Sequence, residues 1–197
     1  MSRPPSILLI DNHDSFTYNI WAGLKLAGAE VVVRPVEALS PAEVYYYPWQ
    51  GIVIGPGPGH PSRLQALLPP LLPPALNIPI LGICLGHQYL ALAYGATVHP
   101  TGRPRFGVQA LISHEGEDLF QQLPNPLPVG LYHALGVYQI PDTLKVLAVD
   151  EEGLCMAFRH TEYPLWGVQF HPDSILTPAG PRLFRTWLNL ITTQVPT

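Results

Sequence analysis

Apolar and polar positions change rhythm along this chain. "SILLID", Ser6 to Asp11, sets four consecutive apolar residues before an acid, the pattern of a strand buried on both faces. "SFTYNIWAGLKLAGAE" follows with apolar residues at helical spacing and Gly28 near its close, which predicts a helix. "EVVVRP", Glu30 to Pro35, reads as a second strand, and "GIVIGPGPGHP", Gly51 to Pro61, as a strand that breaks into a Gly/Pro loop. A proline-interrupted helical segment, Leu64 to Leu72, leads to the strand "IPILGI", Ile78 to Ile83, and His87 to Tyr94 begins another helix. Such alternation predicts a parallel sheet with helices on both faces.

Beyond Gly95 the signal changes. "GVQALIS", "LPVGLYH", "LKVLAVD", "LCMAFRH" and "LWGVQFH" read as strands joined by turns, some of them antiparallel, and a final helix runs from about Ala179 to Ile191. The expected architecture is therefore α/β, one domain over residues 1–197. It is an open, mostly parallel, doubly wound sheet with additional antiparallel strands in its C-terminal half.

Composition narrows the function classes. Hydrophobic residues make up 47% of the chain, enough for a substantial core. The 17 glycines and 24 prolines scatter through loops and form no low-complexity tract. Charged residues are 12%, about half of the ~25% usual in soluble domains, which suggests a surface partly covered by a partner. A net charge of −4 without a basic stripe argues against nucleic-acid binding. "MSRPPSILLIDNHD" is no signal peptide, and no apolar run reaches the ~18 residues of a membrane span. Cys84 and Cys155 offer no disulfide framework, so the expected setting is the reduced cytoplasm.

The candidate chemistry centres on Gly82-Ile83-Cys84-Leu85-Gly86. It has the G-x-nucleophile-x-G form of a nucleophile elbow, a strand-to-helix turn that lifts the reactive atom clear of the backbone. Flanking glycines admit neighbouring chain without a Cβ clash. A helix N-terminus beside Cys84 favours thiolate over thiol, and the Leu85 N–H would face a developing oxyanion. A small buried hydrophobe in a glycine turn would leave the same letters. The base candidate lies in "GVQFHPDS", where a strand runs out at His171-Pro172-Asp173. Cys84, His171 and Asp173 would act as nucleophile, base and orienter, against the alternative of a surface His-Pro-Asp turn. "GPGPGHP" matches no phosphate-binding spacing, and Pro56 and Pro58 have no N–H to give. It is either a rigid loop offering the amides of Gly57 and Gly59 to one anionic centre or a plain turn. No two of the eight histidines lie within five residues and there is no C-x-x-C, so no metal site is expected.

Together "DNHDSFTYN", "GPGPGHP", "GICLGHQ", "YHALGV" and "GVQFHPDSILT" resemble the class I, triad-type glutamine amidotransferases, over Ile7 to about Leu190. Within that family the resemblance is to the glutaminase subunit, component II, of anthranilate synthase and aminodeoxychorismate synthase. It implies hydrolysis of L-glutamine by Cys84, His171 and Asp173, with Gly57 and Leu85 as the oxyanion hole. It further implies that Gly57, Pro58, Gly59, Gln88, Ala134 and Leu135 hold glutamine. The implied partner is a chorismate-binding, Mg-dependent synthase subunit that receives ammonia by a sealed path, in tryptophan or folate biosynthesis. No cofactor is implied in this subunit. Asp11 and Asp14 fall in the first of these segments, where capping of the following helix is the expected role.

The chain departs from the family at three places. His-Pro-Glu is here His171-Pro172-Asp173, one methylene shorter. Tyr-His-Ser-Leu is here Tyr132-His133-Ala134-Leu135, preceded by Leu131 instead of Arg. Phe106-Gly107-Val108 stands where relatives have His-Gly-Lys, in a region that in the family lies toward the synthase. A catalytically weak scaffold subunit, limited by Asp173, is thus the alternative to an active glutaminase. A cysteine peptidase or acyl hydrolase fits the elbow but leaves "GPGPGHP" and Gln88 unexplained. Tyr45, Tyr46 and Tyr47 are expected along an edge and Cys155 in the core. The sequence leaves open whether amination is ortho or para.

Overall fold

The computed structural model describes residues 3–66, 68, 72–73 and 77–193. Strand β1 (Ser6–Asp11) leads into helix α1 (Thr17–Leu26), then β2 (Glu30–Pro35), a short helix α2 (Pro41–Tyr46) and β3 (Gly51–Ile54). After a 3₁₀ turn over Pro61–Ala66 come β4 (Ile80–Ile83) and α3 (Leu85–Ala93). The second half holds β5 (Thr97–His114), β6 (Leu127–Tyr138), β7 (Leu144–Asp150), β8 (Cys155–His160), β9 (Leu165–Val168) and α4 (Gly180–Thr193).

Among the described residues nine strands join one sheet in the order β2-β1-β3-β4-β9-β8-β7-β5-β6. The run from β2 to β9 is parallel, and every pairing beyond β9 is antiparallel. The doubly wound sheet with an antiparallel extension is thus as the sequence led one to expect.

The apolar runs form central strands because both faces are covered. In β1, Ile7 and Leu9 enter the core shared with α1 and α4, while Leu8 and Ile10 enter the opposite core with Leu85, Tyr89 and Leu90 of α3. Helix α4 buries Leu183, Phe184, Trp187, Leu188 and Ile191 along one stripe. Fully burying a side chain of this size stabilises the fold by about 1.5–3 kcal/mol. Cys155 lies in the core, as expected.

Two local expectations change. Of the helical segment expected at Leu64–Leu72, residues 64–66 end the 3₁₀ turn and Leu68 N–H donates back to the Leu64 carbonyl (2.9 Å), while positions 67 and 69–71 lie outside the described residues. The three tyrosines are all exposed but lie along no strand: Tyr45 and Tyr46 belong to α2, and Tyr47 follows it with its ring tilted 36° against Trp49, centroids 4.1 Å apart.

The site follows from strand adjacency. Strands β4 and β9 are parallel neighbours, so their C-terminal ends emerge at the same edge of the sheet. That brings the residues after Ile83 beside those after Val168.

Candidate active site

At the end of β4 the chain turns through Cys84 with φ 52° and ψ −100°, a conformation that strains any residue with a side chain. Its N–H donates to the carbonyl of Val168 on β9 (2.9 Å), which ties the turn to the neighbouring strand. The flanking glycines are steric necessities. A Cβ on Gly82 would lie 2.5 Å from the carbonyl carbon and oxygen of Gly86, and one on Gly86 would lie 2.1 Å from the carbonyl oxygen of Ile54. Backbone packs where side chains would stand, so helix α3 begins immediately at Leu85. Cys84 is 6% exposed. As the first helical residue, Leu85 has an N–H with no acceptor within the helix.

The residues after β9 are fixed to β6. The N–H of His171 donates to the carbonyl of Gly130 (3.0 Å), and the hydroxyl of Thr177 donates to the carbonyl of His171 (2.6 Å). Phe16 and Tyr132 present edges to the imidazole, with centroids 5.2 and 4.9 Å away. His171 Nδ1 faces Asp173 Oδ1 at 3.4 Å, and both side chains are buried. This contact is long and poorly aligned: neither oxygen of Asp173 has a hydrogen-bond partner. Burial works against a proton on His171, but the nearby Asp173 and Cys84 outweigh it and raise its pKa to about 10. The imidazole is thus poised as an imidazolium between a carboxylate and the sulfur.

The remaining expected residues line the surroundings. Gly57 is pressed against Asn12 and Leu85, where a Cβ would come within 2.6 Å of Asn12 Cβ, while Pro58 and Gly59 form an exposed rim. Gln88 is buried in α3. Its Nε2 donates to the carbonyl of Leu135 and to Gln169 Oε1, each at 3.0 Å. Ala134 and Leu135 sit where the β5–β6 ladder slips between Pro100 and Arg105. Pro100, opposite Leu135, has no N–H to give, and the Leu135 carbonyl accepts from Gln88 and from His133 Nδ1 (2.8 Å). The slip leaves Ala134 without a ladder partner, and its carbonyl accepts from the Thr101 hydroxyl (3.3 Å).

Three residues near the site went unremarked in the sequence: Asn12, Phe16 and Gln169. Gln169 is fully buried, and its Nε2 lies 3.7 Å from Cys84 Sγ as donor. A glutamine inside the apolar run "LWGVQFH" was the available signal, because a buried amide needs partners. Asp11 and Asp14 organise the loop before α1 and do not cap it. Asp11 Oδ1 accepts from His13 N and the Thr17 hydroxyl (2.8 Å each), Asp14 Oδ1 accepts from Phe16 N, and the helix N-cap has no side-chain bond.

The other thiol and the nearby histidines are poor reactants. Burial pushes Cys155 up to about 12, even though the Ala157 carbonyl pulls slightly the other way. Burial also lowers His133 below the usual histidine range, against the opposing pull of the Leu135 carbonyl. Among the described residues no group of three or more His, Cys, Asp or Glu side chains is placed to hold a metal ion, and no helix is long and apolar enough to cross a membrane.

Comparison with known proteins gives the arrangement a context. The family model for class I glutamine amidotransferases matches residues 8–190. An aminodeoxychorismate synthase of Streptomyces griseus is 42% identical over 187 residues, covering 93% of this chain but 26% of that longer protein. The aminodeoxychorismate/anthranilate synthase component 2 of Bacillus subtilis is 38% identical over 191 residues, covering 96% of this chain and 98% of its own. A solved structure from Thermoplasma acidophilum, described as a GMP synthase subunit, superimposes with a TM-score of 0.88 at 26% identity, over 98% of this chain and 96% of that one.

Proposed function

The chain belongs to the class I glutamine amidotransferase family, and from that premise we propose that it is the glutaminase subunit of a chorismate-using synthase. Cys84, His171 and Asp173 form its catalytic triad. The Cys84 thiolate attacks the side-chain carboxamide of L-glutamine, and the amide of Leu85 with the Gly57 region receives the charge that moves onto oxygen. Protonated His171 delivers its proton to the departing nitrogen, which leaves as ammonia. Neutral His171 then takes a proton from water, the resulting hydroxide splits the γ-glutamyl thioester, and the thiolate and imidazolium are restored.

The observation that carries this reading is the meeting of Cys84 and His171, 87 positions apart in sequence, at the shared end of two parallel strands. Glutamine would lie between the Gly57-Pro58-Gly59 rim and the Ala134–Leu135 backbone, beside Gln88. Ammonia in neutral water is mostly ammonium, which has no lone pair for attack, so a docked synthase that accepts it directly is the chemical requirement. Phe106, Val108 and Leu111 on β5 and Ile175 beside the site are exposed apolar side chains that suit a covered surface. The Bacillus subtilis relative carries both products in its name, and the same glutaminase chemistry serves ortho or para amination. The reduced cytoplasm is the proposed setting.

The long Asp173 contact bears on rate more than on the kind of reaction, so the scaffold alternative gains little from it. Glutamate release from glutamine, measured with the synthase present, tests the proposal. Cys84→Ser should lower it at least about a thousandfold while activity with ammonium salts persists. Glutamate release that survives this substitution would overturn the reading.

A further inference from the structure

Cys84 Sγ has a neighbour besides His171. The side-chain amide of Gln169, two residues before the imidazole, directs Nε2 at the sulfur from 3.7 Å. An amide is asymmetric, so this contact has a meaning only if the amide cannot turn over. Here it cannot do so without loss. Gln88 Nε2 has two hydrogens, one given to the Leu135 carbonyl and the other to Gln169 Oε1. With the oxygen of Gln169 claimed, its NH₂ must face the sulfur. The reversed amide would set a carbonyl lone pair against the thiolate and one NH₂ against another. Gln169 is fully buried and Gln88 nearly so, and water does not dilute the contact. A second anchor, from the Gln169 main-chain N–H to the Met156 carbonyl (2.8 Å), fixes the backbone.

We propose that Gln169 is a further catalytic residue whose side-chain N–H holds the Cys84 sulfur ionised and in place, with Gln88 as the positioning residue that sets the direction of the Gln169 amide. The inference rests on reading Cys84 as the ionised nucleophile. It adds a neutral donor to the charged partner: the imidazolium gives its proton away during turnover, and the amide does not. When His171 is neutral and the thiolate is about to leave the γ-glutamyl carbon, Gln169 is the remaining side-chain donor at the sulfur among the described contacts. The Leu135 carbonyl, at the far end of the same row, belongs to the backbone that would hold the substrate.

Alkylation of the full chain by iodoacetamide across pH, with the modified peptide identified by mass, tests this without glutamine or synthase. Gln169→Met keeps the shape and removes the donor. Cys84 should then react about tenfold more slowly at pH 7, because a hydrogen bond to a charged group is worth about a factor of ten or more. The rates should converge at high pH, where every accessible thiol is ionised. Gln169→Glu, which turns an acceptor on the sulfur, should be slower still, and Gln88→Met should fall between wild type and Gln169→Met. Wild-type rates at pH 7 in Gln169→Met and Gln88→Met would overturn the proposal. Should the variants not fold, the side-chain amide resonance of Gln169 in the wild-type chain decides, since it must shift when Cys84 is alkylated and an unmoved resonance overturns the contact. Slowed alkylation in Gln169→Met combined with a wild-type chain that releases no glutamate would sustain the Gln169 role and sink the proposed function instead.

Discussion

The two ends of the proposed triad are held in opposite ways. The main chain at Cys84 is held by backbone: glycines packed at contact distance, a main-chain bond to Val168, and a helix that starts at the next residue. Around Asp173 the enclosure is as complete, yet both carboxylate oxygens lack a hydrogen-bond partner and the imidazole stands 3.4 Å away. The sulfur is overdetermined and the carboxylate is underdetermined. The difference teaches where this chain can vary. A one-methylene change is ruinous at the turn, where backbone meets backbone, and tolerable at the outer end, where side chains alone set the spacing.

Substitutions can break that contrast or sharpen it. The largest effect is expected at the turn. Gly86→Ala would put a methyl 2.1 Å from the Ile54 carbonyl oxygen, so backbone must move, at a cost of about 3 kcal/mol in urea unfolding together with loss of glutamate release. A Gly86→Ala chain of wild-type stability would show the turn to be looser than its contacts imply. At the outer end the changes should be milder. Asp173→Asn should lower kcat about tenfold, well short of the ~10⁴ seen when a well-aligned triad carboxylate is lost. Asp173→Glu should raise kcat several-fold by reaching Nδ1. If Asp173→Asn costs as much as removing Cys84, the long contact is misjudged.

A separate effect concerns pH and acts on stability alone. His87, on α3 behind the turn, has neither ring nitrogen partnered and lies against Phe158. Burial lowers its pKa to about 3, with the Gly167 backbone opposing and His133 adding to the fall. The folded pKa is below the unfolded 6.5, so the unfolded chain binds this proton first. The contribution to stability is full above about pH 6.5 and is lost as pH falls toward 3, at no more than about 1.4 kcal/mol per pH unit. His87→Phe should flatten that part of the profile. Parallel slopes for the two chains between pH 6.5 and 4 would show that the ring is not buried neutral.

Much of this was legible in the letters. "SILLID", "GIVI" and "ILGI" read correctly because strands buried on both faces have no polar positions to confuse the pattern. The glycines around Cys84 announced a close approach of backbone, and Gly86 meets the Ile54 carbonyl. Other features were hidden for physical reasons. Strand β5 runs 18 residues, but two register shifts and the outward-facing Phe106, Val108 and Leu111 destroy its alternation. Helix α2 is too short to show a periodicity, although "SPAE" is a readable start, with Ser40 accepting from the Glu43 N–H and proline at the first position. The shorter Asp173 was legible as a departure from His-Pro-Glu, but the direction of its misalignment was not, because a methylene's difference in reach depends on where two backbones lie in space. Gln169 carries no signature beyond a glutamine within an apolar run, since a hydrogen bond to sulfur has no periodicity.

The backbone of Cys84 carries a further implication. At φ 52° and ψ −100° a residue with a side chain makes the folded molecule about 1–3 kcal/mol less durable than glycine would there. An inert chain of otherwise identical sequence would be the hardier one. Longevity alone would favour glycine at this joint, so the sulfur that stands there gives up endurance for what its own chemistry supplies.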